Sequence, residues 1–331
     1  QRGTVVNAGN EFAGPDRYKF RKNDGAYTIS QDSDVPSGQG FGSSWKADVT
    51  TVPSGGSNSY VFLNHRMEGQ DLQHLKKGTS SSESLTLSFW IKSSVTGTYI
   101  AEIYDLDNDR QISKSYTVSS ANTWENKTLT FAGDTSGTLN NDNGASLEVN
   151  FWFYAGSNFS SGTLNTSWAS STDANRVAGQ VNAANNTANN IYLTGVQLEV
   201  GEKATPFEHR SFADELTRCQ RYFNMLADNG FEPIANFQFY TTTAAYGVVQ
   251  FPVRMRAKPS IHEQDVSNGI RLLADNTVTE LNGNAISADS SRTSDKNIRL
   301  QITSGISESI GDAAWTELNN NGAKIGFDAE L

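Results

Sequence analysis

SLTLSFWIKS, residues 84–93, and SLEVNFWFYA, residues 146–155, alternate without a break between apolar and polar side chains. In the first, Leu85, Leu87, Phe89 and Ile91 share one face, and Thr86, Ser88, Trp90 and Lys92 share the other. In the second, Leu147, Val149, Phe151 and Phe153 alternate with Glu148, Asn150, Trp152 and Tyr154. A period of two is the signature of a half-buried β-strand, because successive side chains point to opposite faces of a sheet. Around these two, TYIAEIYD (98–105) and QISKSYTV (111–118) read as a hairpin, and TWENKTLTF (123–131) and NIYLTGVQLEVG (190–201) as further strands. Short strands are also expected near RYKF (17–20) and SYVFLNHRM (59–67). A polar loop of Asn, Ser and Ala separates residue 155 from residue 190. Many short antiparallel strands within ~200 residues predict a jelly-roll β-sandwich over residues 1–205.

Composition agrees with that class. Hydrophobic residues make up 36% of the 331, with Gly, Ser, Thr and Asn filling the difference, and aromatic residues make up 10%, enough for real cores. A chain of this length suits two domains. The net charge of −10 argues against a general nucleic-acid grip, since phosphate binding needs a cationic face. Cys219 is the only cysteine, which excludes an intrachain disulfide and points to folding in a reducing cytoplasm. The sequence has no apolar run near the 18 residues of a membrane-spanning helix, and its first residue is not Met, so a fragment or processed product is expected. Four Asn-x-Ser/Thr triplets, at Asn126, Asn158, Asn165 and Asn185, are read as chance in so Asn- and Ser-rich a chain.

The alternation breaks after residue 201. Pro206 interrupts the strand pattern, and Ser211 with Asp214 three residues later forms a helix start of the capping-box kind. Phe212, Leu216, Cys219, Phe223 and Leu226 then repeat at intervals of four and three, an apolar stripe that ends at Asp228-Asn229-Gly230. The spacing predicts a connector helix within residues 206–229 whose stripe packs on its own domain, on the next one, or on the same helix in another subunit. Asp214 and Arg218 are placed to pair on its outer face. Pro206 and Phe207 are expected to fix the chain direction, with Phe207 docking on the sandwich, while His209 and Arg210 are expected as hinge residues. From residue 230 to 331, ANFQFYTTTAAYGVVQFPV, GIRLLAD, NIRLQITS and AKIGFDAEL predict a second antiparallel β-sandwich domain.

The run from SLTLSFWIKS through TWENKTLTF to SLEVNFWFYAGS resembles the jelly rolls of carbohydrate-binding modules. The longer pattern, with NTWENKTLTF, SGTLNTSWAS, TGVQLEVGEKATPFEHRSFADELTRCQRYF, FPVRMRAKPS and the terminal GFDAEL, resembles tail-fibre and other appendage proteins of bacteriophages from about Phe89 to Leu331. Its most specific part is the LEVG…TPFE…CQRY connector. This resemblance implies a virion protein made in the host cytoplasm and assembled as a homotrimer. It also implies other virion proteins joined through sequence before Gln1, and adhesion to a host surface glycan. Neither nucleic-acid binding nor membrane insertion is expected.

The candidate glycan residues come from the alternation. Trp90 and Trp152 fall on the polar faces of their strands, in phase with Lys92, Glu148, Asn150 and Tyr154. An indole among hydrogen-bonding groups suits a sugar ring, whose C–H face stacks while its hydroxyls bond. The competing readings are that the Asn-rich loop or a neighbouring subunit covers these rings, or that the strand phase differs. Trp124 and Trp168 are read as packing anchors, and Trp45 and Trp315 have no assignable place. DLDND (105–109) resembles half of a calcium loop, but Arg110 and Tyr116 occupy the positions where such a loop needs Gly and Glu. Jelly-roll modules often hold a structural calcium near their termini, for which Glu11 and Asp16 are candidates; the sequence itself implies no cofactor. HEQDV (262–266) departs from the metalloprotease pattern at its fifth residue, and the carboxylates Glu102 and Glu148 remain only as a notional glycosidase pair. The sequence therefore predicts a binding protein rather than an enzyme. The alternatives are a structural decoration or tail protein without glycan binding, and the carbohydrate module of a bacterial enzyme system.

Overall fold

The computed structural model describes the chain except residues 1–3, 10, 13, 265–268, 275–276, 282–285, 304–307 and 320–322. HEQDV therefore lies partly outside the described residues. The chain divides into two compact units, Gln1–His209 and Arg210–Glu330.

In the first unit the strands are β1 (Glu11–Phe12), β2 (Tyr18–Lys22), β3 (Ala26–Asp32), β4 (Ser44–Thr51), β5 (Tyr60–Glu68) and β6 (Leu85–Ser93). They are succeeded by β7 (Gly97–Asp105), β8 (Arg110–Val118), β9 (Glu125–Phe131), β10 (Ala145–Ala155), β11 (Ala169–Ser170) and β12 (Asn190–Val200), with one helical turn, α1 (Ser157–Ser160), after β10. They form a seven-stranded sheet in the order β1-β2-β5-β10-β7-β8-β11 and a five-stranded sheet in the order β3-β4-β12-β6-β9. The two sheets share one core, to which β6 gives Leu85, Leu87, Phe89 and Ile91 and β10 gives Leu147, Val149, Phe151 and Phe153. The rings of Phe89 and Phe151 meet edge to face with centroids 5.0 Å apart, and Trp45 stacks on Phe153 at 5.7 Å. The expected all-β sandwich is present.

That packing separates the two candidate tryptophans. Strands β6 and β10 lie in opposite sheets, so residues that alternate with their core faces point to opposite sides of the unit. Trp90 and Trp152 do not form one platform. Trp152 is fully buried beneath the 156–190 loop, packed with Phe62, Ile100 and Val177, against which Phe159 and Leu164 also lie. Tyr154 is likewise buried, because a register shift between Trp152 and Tyr154 turns it back toward the core. A bulge of this kind reverses the phase of everything after it.

The second unit opens with α2 (Phe212–Gln220). Its strands are β13 (Phe223–Ala227), β14 (Pro233–Thr241), β15 (Ala244–Gln250), β16 (Ser260–Gln264), β17 (Ile270–Ala274), β18 (Thr277–Leu281), β19 (Ile286–Ala288), β20 (Asn297–Ile302), β21 (Ala313–Leu318) and β22 (Lys324–Asp328). A three-stranded sheet, β13-β22-β16, and a seven-stranded one, β18-β17-β21-β14-β15-β20-β19, enclose a core that includes Phe237, Phe239, Met255, Leu300 and Phe327.

The helix starts as the sequence predicts: the Asp214 N–H donates to Ser211 Oγ at 3.2 Å, and the Ser211 hydroxyl donates to Asp214 Oδ2 at 2.7 Å. It ends eight residues before Asp228. The Tyr222 N–H closes a turn on the Cys219 carbonyl at 2.9 Å, and Phe223, Asn224 and Met225 then pair with Asp328, Phe327 and Gly326 of β22. A short helix is marginal alone, and the ladder to the last strand captures the residues that would have extended it. Phe223 is therefore a buried strand residue and Leu226 packs on the unit's own core, whereas Leu216 and Cys219 are half-buried and Phe212 is 82% exposed. On the outer surface of the helix Glu215 pairs with Arg210 at 3.4 Å.

Trp152→Ala removes a fully buried indole and one hydrogen-bond donor to Glu102. It is expected to destabilise the first unit by about 3–5 kcal/mol in urea denaturation; a loss below about 1 kcal/mol would contradict this packing.

Candidate functional site

The outer faces of the two sheets differ. On the seven-stranded sheet the polar residues of β7 and β10 are consumed by one another. Arg176, from the covering loop, donates from Nε and Nη2 to the two oxygens of Glu102, each at 2.8 Å. Trp152 Nε1 and Asn150 Nδ2 also reach Glu102 Oε2, at 3.1 and 3.0 Å. Glu148 accepts from Asn150 Nδ2 at 2.9 Å, Asn64 Nδ2 at 2.9 Å and Arg66 Nε at 3.0 Å. Glu102, Glu148 and Asn150 are buried. Buried carboxylates require such pairing. Burial alone would loosen the proton of Arg176, but the charge and hydrogen bonds of Glu102 and the charge of Glu148 outweigh it and leave the guanidinium more firmly protonated than usual. Of the sequence-selected residues, Trp152, Tyr154, Glu148 and Asn150 are thus built into the fold and do not line an open site. Glu102 and Glu148 are fixed by cations and amides.

The five-stranded sheet keeps an open face. Its cross-strand neighbours are Asn126 on β9, Trp90 on β6 and Thr194 on β12. Next to them runs a groove of about 540 Å³ with Ser88, Trp90 and Asn126 on the sheet, Gln39 and Phe41 from the loop before β4, and residues 204–207 and His209 after β12. Trp90 is partly exposed and Asn126 exposed. The register of β12 shifts between Thr194 and Gln197. Within that shift Gly195 has a φ of +59°, and a Cβ there would lie 2.5 Å from the Phe41 ring. Glycine alone lets Phe41 seat so closely.

Three rings close one end of the groove. Phe41 lies 5.0 Å from Phe207 and 5.3 Å from His209, and Phe207 lies 4.9 Å from His209, centroid to centroid. The segment that carries Phe207 and His209 is tied to β12: Gln197 Oε1 accepts the Glu208 N–H at 2.8 Å, and Glu199 Oε2 accepts the Thr205 N–H at 3.0 Å. Phe207 does dock on the sandwich, and its docking makes a groove wall.

Beyond Trp90 the same face continues into a charged and aromatic patch. Lys92 is ion-paired with Asp34, which also accepts from Trp124 Nε1 at 2.8 Å. Lys92 Nζ lies 4.9 Å from the Tyr192 ring and Lys46 Nζ lies 5.4 Å from it. Lys46 is in turn paired with Asp32 at 3.5 Å and Asp48 at 3.1 Å. Lys92 is therefore engaged by neighbours on this face, and Trp124, read from sequence as a packing anchor, belongs to the same patch. Phe41, Phe207 and His209 lie in irregular segments outside any strand periodicity that would select them, whereas Asn126 lies on β9 among other polar residues that do not set it apart.

Among the described residues no group of three or more His, Cys, Asp or Glu side chains is placed to hold a metal, and no helix is long and apolar enough to cross a membrane. No family model matches the chain, and no curated protein matches it. Among solved structures, the enzymatically active domain of tailspike protein 4 of bacteriophage CBA120 aligns at 17% identity and a TM-score of 0.34, over 60% of this chain and 21% of its own length. The family 11 carbohydrate-binding module of the Clostridium thermocellum cellulase Lic26A-Cel5E aligns at 16% identity and a TM-score of 0.30, over 62% of this chain and 98% of its own. The CBM22-1 xylan-binding domain of Paenibacillus barcinonensis Xyn10C aligns at 9% identity and a TM-score of 0.30, over 62% of this chain and 99% of its own.

The hydrogen bond and charge of Lys92, together with the Trp124 indole, hold the Asp34 carboxyl below its usual range. A depressed carboxylate contributes stability above its unfolded-state value, about 3.9, and loses it as pH falls through the folded value. The thermal midpoint of the wild type should therefore exceed that of Asp34→Asn at pH 6, and the difference should begin to shrink below about pH 4 and vanish only below the depressed folded value. A constant difference across that window would contradict the assignment.

Proposed function

We propose that the first unit binds a glycan chain in the groove beside Trp90, and that the protein acts by non-covalent adhesion. The observation that carries this reading is the partly exposed Trp90 indole on an open sheet face, beside a groove whose polar side chains are Ser88, Asn126, Gln39, Thr205 and His209. An indole offers a flat apolar surface to the C–H face of a sugar, while hydroxyl and amide groups can exchange hydrogen bonds with its hydroxyls. A cavity of about 540 Å³ falls within the range of small-ligand sites.

The finer reading is a phage virion appendage, a tail fibre or receptor-binding protein carried into contact with a bacterial surface glycan. The sequence resemblance centred on LEVG…TPFE…CQRY supports it. A homotrimer belongs to the same proposal, and the uncovered Phe212 on α2 is consistent with a contact between chains. One groove per chain gives modest affinity. Repeated engagement would raise avidity by ~10² to 10⁴ where the geometry allows it.

Retention of the full chain on bacterial cells and extracted surface polysaccharides tests the adhesion reading. Trp90→Ala is expected to weaken retention by roughly tenfold or more while leaving the thermal midpoint within a few degrees of wild type. Unchanged retention would remove the groove as the binding site. Light scattering tests assembly: three chains per particle are expected, with dissociation on Phe212→Ser. A monomer at every concentration would end the trimer proposal and favour the structural-decoration alternative fed by other virion proteins.

A further inference from the structure

The DLDND turn between β7 and β8 looks like half of a calcium loop, and the structure shows a cation facing it. That cation is the ammonium of Lys77. Lys77 is 5% exposed, and its Nζ lies 2.9 Å from Asp134 Oδ2, 3.0 Å from the Ser136 carbonyl and 2.9 Å from the Gly137 carbonyl. It also pairs with Asp105 Oδ2, and the Trp168 ring centroid is 5.0 Å away. Four oxygens surround a group with three N–H bonds, so the ammonium is held as a point charge as much as a directed donor.

The oxygens are positioned by groups other than Lys77. Asp105 Oδ1 accepts the backbone N–H groups of Asp107 and Asn108 at 3.0 and 3.1 Å, and Asp105 Oδ2 accepts Asn108 Nδ2 at 2.9 Å. Asp134 is gripped by Arg110 from Nε at 2.7 Å and Nη2 at 2.9 Å, and its Oδ1 accepts the Ser136 N–H at 3.1 Å. Both carboxylates are buried. Lys77 and Arg110 balance Asp105 and Asp134 in charge, so removal of the ammonium leaves one uncompensated buried negative charge in a cage of two carboxylates and two carbonyls. That donor set, completed by water, is what a hard divalent cation takes.

We propose that the turn at Asp105, the 134–137 loop and Lys77 form a cation site whose occupant is the chain's own lysine ammonium, and that shortening Lys77 opens the site to Ca²⁺. The tethered charge does at this end of the sandwich what a bound metal would do, tying three loops together without drawing on the ion content of the medium.

The test uses the full chain as wild type, Lys77→Ala, and Lys77→Met, whose uncharged stem still fills the cage. Thermal midpoints are compared in EDTA and in millimolar calcium, and terbium alone serves as a luminescent probe, since Trp168 is close enough to sensitise it. Lys77→Ala is expected to melt several degrees below wild type in EDTA and to recover with calcium in a saturable way. It should also give terbium emission that is lost when Trp168→Phe is added. Lys77→Met should lose stability without recovering. If Lys77→Ala does not fold in EDTA, calcium-dependent folding monitored by circular dichroism supports the proposal, and failure to fold in both conditions overturns it. A calcium response no larger than that of wild type, or terbium emission indifferent to Trp168, also overturns it.

Discussion

The contact of Phe89 with Phe151 across the sandwich, at 5.0 Å between ring centroids, orients both sheets of the first unit. Each ring lies on the apolar face of a strand with period two, and burying both faces in one core fixes the outward direction of every alternate residue on two sheets at once. Trp90 goes to one outside and Trp152 to the other. Burial of the two apolar faces supplies the driving force, of the order of 1.5–3 kcal/mol for each large side chain. The same packing decides which polar residues meet solvent and which must be satisfied from within.

The two outsides then meet different fates. Over the seven-stranded sheet the 156–190 loop brings Phe159, Leu164, Arg176 and Val177 down onto Trp152 and Glu102. The face becomes interior, and its carboxylates are retained only because Arg176, Arg66 and two asparagines answer them. Over the five-stranded sheet the covering segments stop at one end. Phe41, Phe207 and His209 close that end as a wall and leave Trp90 beside the opening. The difference between a sealed face and an open one is thus a matter of where two loops lie.

The alternation of residues 84–93 and 146–155 made the strands and their core faces legible from sequence, since burial of one face enforces the period. Sheet membership was not legible, because it depends on pairing between residues as distant as Glu148 and Arg66, and this is why Trp90 and Trp152 were expected on one kind of surface. Tyr154 was misplaced by a bulge that leaves no mark on the pattern. The start of α2 was legible in Ser211 and Asp214, a local signal. Its end was not, because Phe223 is drawn into pairing with Asp328 at the far end of the chain. The apolar spacing of Phe212, Leu216, Cys219, Phe223 and Leu226 runs through both a helix and a strand. The groove walls come from irregular segments, where side-chain direction is set by tertiary contacts such as Phe41 on Gly195.

The central claim is that ligand is held beside Trp90 and nowhere near Trp152. Its most direct test is the set of indole N–H resonances of the six tryptophans, recorded while extracted bacterial surface polysaccharide is titrated into the labelled full chain. The Trp90 resonance should shift progressively and saturate, with the Trp152 resonance, locked onto Glu102, unmoved. A shift confined to Trp152 or Trp315, with Trp90 stationary, would contradict it.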